Sequence, residues 1–179
     1  MFPYQVVGAI GNPIDETIWA DFDESVSQWR TSTGGSTNLH DQVNVDGVDT
    51  TYCRLTSPIL QSTRQLAFGM ESPSGEPIGS QTVELQIRAK YLEPGQTLPT
   101  APTVTIRMDE NNTQRGTSLA LDLTTSFADY SFFPSTAQIN SVGDWDEIEV
   151  DMSFDNTMNT GLDEEADFHV SEVRIIFSP

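Results

Sequence analysis

A chain of 179 residues is long enough for one hydrophobic core and short for two ordinary domains. With 27 acidic residues against 8 basic ones its formal net charge is -19, so the phosphate backbone of nucleic acid is repelled and is not expected as a partner. A single cysteine, Cys53, excludes an intrachain disulfide and an intrachain thiolate cluster, and no apolar run is long enough for a membrane-spanning helix.

Residues 1–15 read as an N-terminal arm and residues 16–179 as a single β-sandwich domain. The arm mixes Phe2, Tyr4, Val6, Val7 and Ile10 with small residues and prolines, and no side-chain charge precedes Asp15. Apolar residues of this kind left in water invite aggregation, so these five are expected to dock on a partner subunit or on the chain's own sheet. The start of the chain has neither the positive region nor the apolar stretch of a signal peptide, which predicts synthesis in the cytosol without membrane insertion.

The first strand is expected over residues 16–22, with Ile18, Ala20 and Phe22 on one face and Thr17, Trp19 and Asp21 on the other. Residues 23–49, rich in Ser, Thr, Gly, Asn and Asp, predict a long connection across one end of the sandwich, with a short helical turn near His40 to Val43. Strands follow over Tyr52–Leu55 and Arg64–Met70, and then over QTVELQIRAKYL. There Val83, Leu85, Ile87, Ala89 and Tyr91 alternate with Glu84, Gln86, Arg88 and Lys90. Val104, Ile106 and Met108 repeat the period before a polar hairpin, DENNTQRG; further strands carry Leu119, Leu121 and Leu123, then Tyr130 and Phe132, then Ile148, Val150, Met152 and Phe154. In the last strand Phe168 and Val170 keep one phase while Val173, Ile175 and Phe177 keep the other, which predicts a β-bulge near Ser171 and Glu172. The prolines at positions 58, 73, 77, 94, 99, 102 and 134 all fall between strands or at their ends, where no ladder hydrogen bond is lost. Together these features predict an all-β, antiparallel, jelly-roll-like sandwich.

Chemistry-bearing residues are few. His40 and His169 are the only histidines; His40 lies in a polar loop, and His169 stands on the outward phase of the last strand, which predicts a solvent-facing residue rather than a base. Cys53 follows strand alternation as a small core residue. Glu147, Glu149 and Asp151 occupy the phase opposite Ile148 and Val150 and predict a solvated strand face. The groups Asp21, Asp23, Glu24 and Asp163, Glu164, Glu165, Asp167 lack the spacing of an EF-hand, so no metal is expected, and no phosphate-cradling loop or nucleophile elbow implies a cofactor or an enzyme. Aromatic rings are the remaining resource: Trp19, Trp29, Tyr52, Tyr91, Tyr130 and Trp145 are candidate stacking platforms for sugars. Tyr91 and Tyr130 share the phase of core residues, which leaves Trp29 and Trp145 as the open candidates.

The order of features from Trp29 onward resembles a group of tailed-phage structural proteins. It comprises an Asp-rich loop entering a short Tyr strand (DGVDTTYCRLTS), an alternating strand (QTVELQIRAK), and a threonine-rich strand (LALDLTTSFADYSF). A turn into an acidic strand (INSVGDWDEIEVDMSF) and a final VSEVRIIF strand complete it. The resemblance implies a jelly-roll-like virion protein, either a capsid decoration (cement) protein or a tail or baseplate accessory. Its partners would then be the major capsid protein and copies of itself as a homotrimer, with the arm Phe2–Ile10 gripping the shell. The alternative expectation is a carbohydrate-binding sandwich of a phage tail or a secreted protein, using Trp29 and Trp145.

Overall fold

The computed structural model describes residues 14–20, 29–30, 53–56, 63–77, 80–93, 97–111, 113–116, 118–159 and 166–179. Among these the strands are β1 (Glu16–Trp19), β2 (Trp29–Arg30), β3 (Cys53–Thr56), β4 (Thr63–Gly69), β5 (Thr82–Leu92), β6 (Thr103–Glu110), β7 (Thr113–Gln114), β8 (Leu119–Asp122), β9 (Ala128–Phe132), β10 (Ile148–Asp155) and β11 (Asp167–Ser178). They form two antiparallel sheets. In the five-stranded sheet β11 lies between β5 on one side and both β1 and β3 on the other, and β5 carries β9 at its far edge. The six-stranded sheet runs β2-β4-β10-β6, with β7 and β8 both paired to β6. The all-β, jelly-roll-like sandwich is thus the fold.

The period-two pattern explains how the sheets meet. Val83, Leu85, Ile87, Ala89 and Tyr91 of β5 are buried while the residues between them are partly exposed, and Val104, Ile106 and Met108 of β6 face them from the other sheet's interior. Aromatic pairs close the core: Phe154 of β10 stacks on Phe168 of β11 with ring centroids 4.7 Å apart. The slip of phase in the last strand is a bulge, since register shifts between Val170 and Glu172 and leaves Ser171 unmatched against β5. Because of it, Phe168 and Val170 point inward on one side of the bulge and Val173, Ile175 and Phe177 do so on the other. The polar hairpin after β6 is also present, with Glu110 paired to Thr113 and Asp109 to Gln114. Within it Gly116 has φ +96° and lies against the Gln138 side chain, a place where any Cβ would collide.

Two short helical turns join β9 to β10. Helix α1 (Thr136–Ile139) begins with a capping box in which the Ser135 hydroxyl accepts from the Gln138 N–H while the Gln138 side chain accepts from the Ser135 N–H. A 3-10 turn (Trp145–Glu147) follows, capped by Asp144, which accepts from the Asp146 N–H. The loop between them is tied to β6 by Glu110. Its carboxylate accepts from the N–H groups of Gly143 and Asp144 and pairs with Arg115 at 2.5 Å. Burial alone would push the Glu110 carboxyl up, but these N–H donors and the arginine outweigh it and hold the group below the usual carboxylate range.

Three expectations need correction here. His169 is in the outward phase as its position implies, yet it is only 3% exposed. It stands in the middle of the sheet, opposite the backbone position of Arg54 on one side and Lys90 on the other. Asp151 is likewise buried rather than solvated, because Arg107 of the adjacent strand reaches over it at 2.7 Å. The 3-10 turn folds Trp145 inward, with the ring 3% exposed and edge-on to Phe177 at 5.5 Å. A ring enclosed in that way is a core plug and offers no open face to a sugar. Among the described residues no helix is long and apolar enough to cross a membrane.

Candidate functional site

The outer face of the five-stranded sheet gathers the side chains that the inner face rejects. Register alone sets Trp19 of β1, Arg174 of β11, Gln86 of β5 and Ser131 of β9 in one row across four strands. Residues directly opposite on antiparallel strands share a face and lie within side-chain reach, so the row is a continuous strip.

The strip is joined from end to end by one cation–π contact and a run of hydrogen bonds. The Arg174 guanidinium lies over the Trp19 ring, 5.2 Å from its centroid. From there Arg174 Nε donates to Gln86 Oε1 at 2.5 Å, with Nη2 donating to the same oxygen, and Nη1 donates to Glu172 Oε2 at 3.1 Å. Gln86 Nε2 in turn donates to Glu84 Oε1 at 3.1 Å and to Ser131 Oγ at 3.3 Å, while the Ser131 hydroxyl donates to Glu84 at 2.5 Å. Each flexible side chain is thereby held in one rotamer by its neighbours, at a site built on strands rather than loops.

Trp19 is the platform of this face. It is 39% exposed, and its backbone is clamped: its N–H donates to the Glu71 carboxylate at 3.2 Å and its carbonyl accepts from the Glu71 N–H at 3.0 Å. Glu16 extends the clamp by accepting from the Ser74 N–H at 2.6 Å. The segment after β4 therefore closes the free edge of β1 and fixes the indole beside Arg174.

One row further along the sheet Glu172 pairs in register with Arg88 and Arg88 with Asp129, whose carboxylate is 3.8 Å from the guanidinium. Beyond it the Lys90 ammonium sits 4.2 Å from the centroid of the Phe127 ring, and the Arg88 guanidinium lies 5.7 Å from the same ring.

The sequence-derived candidates fall elsewhere. Phe2, Tyr4, Val6, Val7 and Ile10 lie outside the described residues, as do His40 and most of the two acidic loop groups. Trp29 lies in β2 with its backbone opposite Phe68, and its side chain is outside the described residues. Trp145 belongs to the core. Trp19 was legible as a large aromatic on the second face of the first strand, but Arg174, Gln86, Glu84 and Ser131 carried no local signal, since only strand register brings them together. Among the described residues no group of three or more His, Cys, Asp or Glu side chains is arranged to hold a metal.

No family model matches the chain, and no curated protein is significantly similar to it in sequence. Solved structures do share its fold. The xylan-binding module CBM15 aligns with a TM-score of 0.54 and 11% identity, over 90% of this chain and 96% of that one. CBM27-1 of Caldicellulosiruptor saccharolyticus, solved with mannohexaose, aligns at 0.51 and 12% identity over 89% and 96%. The arabinose-bound α-L-arabinofuranosidase MgGH51 aligns at 0.56 and 10% identity, over 93% of this chain but 27% of the enzyme.

Proposed function

We propose that this chain is a non-catalytic carbohydrate-binding module that receives a glycan on the outer face of its five-stranded sheet. The observation that carries the reading is the Trp19–Arg174–Gln86–Ser131 row, an exposed indole continuous with a fixed strip of planar hydrogen-bonding groups. Sugars offer apolar C–H faces flanked by hydroxyls. An aromatic ring buries the former, and amide, guanidinium and carboxylate groups satisfy the latter. Because the strip is already held by its own hydrogen bonds, little side-chain freedom is lost when a ligand arrives. The acids of this face act as acceptors for Gln86, Ser131 and Arg174 within the strip, so its chemistry is recognition rather than bond cleavage. The fold shared with a xylan-binding module and with a module that binds mannohexaose supports the same reading.

A capsid-decoration role rests on the arm Phe2–Ile10 and on the pattern resemblance to phage virion proteins. The exposed, hydrogen-bonded face of the five-stranded sheet supports the glycan reading. Affinity electrophoresis of the full chain in gels containing xylan, β-mannan, mixed-linkage glucan or arabinan tests the proposal. At least one polysaccharide should retard the wild type. Trp19→Ala should lose roughly 2 kcal/mol of binding, about 30-fold, while its circular dichroism and melting midpoint stay near those of the wild type. Equal retardation of wild type and variant by every polymer that binds would overturn the assignment of this face.

A further inference from the structure

A second exposed aromatic ring stands at the opposite edge of this face. Phe133 follows β9 directly, between the buried Phe132 and Pro134, so the alternation of β9 turns its side chain away from the core, on the same side as Ser131. It is 58% exposed, and its ring is open to a ligand. Strand β9 pairs Ser131 with Gln86 and Phe132 with Leu85, and one more residue of that register sets Phe133 at the level of Glu84. The hydrogen-bonded group of Glu84, Gln86 and Ser131 therefore lies between two rings, Trp19 on β1 and Phe133 at the end of β9.

The spacing of the rings sets the length and shape of what spans them. Strands β11 and β5 lie between β1 and β9, and Phe133 is offset by two residues along the strand from the row that holds Trp19. With strands about 4.8 Å apart and a rise of about 3.3 Å per residue, the two positions lie about 16 Å from each other. A single sugar covers one ring and leaves the other in water. Each unit of an extended sugar chain advances by about one strand spacing, so about four units in line put one over each ring and the middle ones over the carboxylate, amide and hydroxyl of the strip. A chain that winds into a helix stacks on one ring and then curls away from the sheet. With Glu84 and Glu172 against Arg174, the strip carries no surplus of positive charge and suits neutral sugars.

We infer that Phe133 is a second stacking platform and that the ligand is an extended, neutral glycan chain of about four sugars or more, lying across the strands from Trp19 to Phe133. This inference rests on the carbohydrate-binding reading above and adds to it the length and shape of the ligand and the residue that receives its far end.

Calorimetric titration of the full chain with β-1,4-linked xylo-, manno- and cello-oligosaccharides of two to six units, and with malto-oligosaccharides as a coiled control, tests it. In at least one β-1,4 series affinity should rise about tenfold between three and five units, the scale of one further stacked ring, and then level off. Phe133→Ala should remove that step and leave the trimer bound as by the wild type, whereas Trp19→Ala should weaken every length. Phe133→Trp should keep the step, and the exposed position predicts melting midpoints near the wild type for both Phe133 variants. A hexamer bound equally by the wild type and Phe133→Ala, with Trp19→Ala still weaker, would overturn the inference and leave the sheet-face reading intact. Malto-oligosaccharides bound as tightly as the extended series would do the same. Failure of every oligosaccharide to bind, or equal binding by the wild type and Trp19→Ala, would overturn both readings.

Discussion

The two outer faces of this sandwich arise from the same alternating pattern, yet they do opposite things with their charges. On the six-stranded sheet Arg107 is clasped by two acids, Asp109 at 3.1 Å and Asp151 at 2.7 Å, and both acids are nearly inaccessible. On the five-stranded sheet the cations are shared out along a strip that includes an exposed indole, a phenyl ring, an amide and a hydroxyl. A closed cluster pairs its charges with one another; an open strip keeps groups at the surface for something else to complete. The comparison teaches that strand alternation decides which residues face out, while cross-strand register decides whether a face becomes a structural lock or a recognition surface.

The largest effect that would break this comparison is expected at Arg107. Replacing it by Ala leaves Asp109 and Asp151 facing each other in a poorly solvated place, and the loss of stability should be about 3 kcal/mol in chemical denaturation. Binding of any glycan that retards the wild type should be unchanged, since Arg107 lies on the other sheet. A loss of affinity without a loss of stability would place the ligand on the six-stranded face and invert the roles assigned to the two faces.

The acids of the same cluster provide a smaller and sign-specific test. Burial pushes the Asp151 carboxyl up; Arg107 pulls it down and Asp109 pushes it up again, and the net result lies above the usual value of 3.8. A carboxyl raised in this way folds more comfortably protonated, so its ionised form is a burden at neutral pH that is relieved as pH falls through the folded-state value. Asp151→Asn should therefore lie within about 1 kcal/mol of the wild type at pH 7. Relative to the wild type, the variant should fare better at pH 7 than at pH 3, where the wild-type carboxyl is also neutral. Glu110 has the opposite sign: its folded-state value is lowered, so its contribution is present above its usual value of 4.5 and is lost as pH falls through the folded-state one. Denaturation curves of wild type and Asp151→Asn at both pH values check this, and a variant that loses ground at pH 7 relative to pH 3 would refute the sign.

How much of this was readable in the sequence depends on the range of the interactions involved. The interior of β5 was legible because its alternation is local, and the bulge at Ser171 was legible because a bulge leaves a break of phase in one strand. Trp145 was not, since nothing local to GDWDE tells whether a short turn will swing the ring out or under; the Asp144 cap and the contact with Phe177 decide it. His169 was read correctly in phase and wrongly in exposure, because exposure depends on strands far away in sequence. Helix α1 left a trace in the Ser135–Gln138 spacing of its capping box, but four residues are too few to show a helical period. The binding strip was the least legible feature. Arg174 and Gln86 are 88 residues apart, and each taken alone is an ordinary polar residue on a solvated strand face.

The smallest effect sharpens the comparison most, because it asks whether the strip behaves as an open surface. Ser131 sits at its far end, where its hydroxyl donates to Glu84 and accepts from Gln86. Ser131→Ala removes both bonds, yet Glu84 and Gln86 are only partly buried and water can replace the missing partner. The stability loss should then be about 0.5 kcal/mol, far below that of Arg107→Ala. Its effect on the ligand should be larger in proportion, a several-fold loss of affinity, because Glu84 and Gln86 would no longer be held in one rotamer and must be ordered by the glycan itself. Calorimetry on a polysaccharide that binds the wild type, paired with thermal denaturation, separates the two quantities. A variant that lost 2 kcal/mol or more of stability with unchanged affinity would show that this strip, too, is a structural lock.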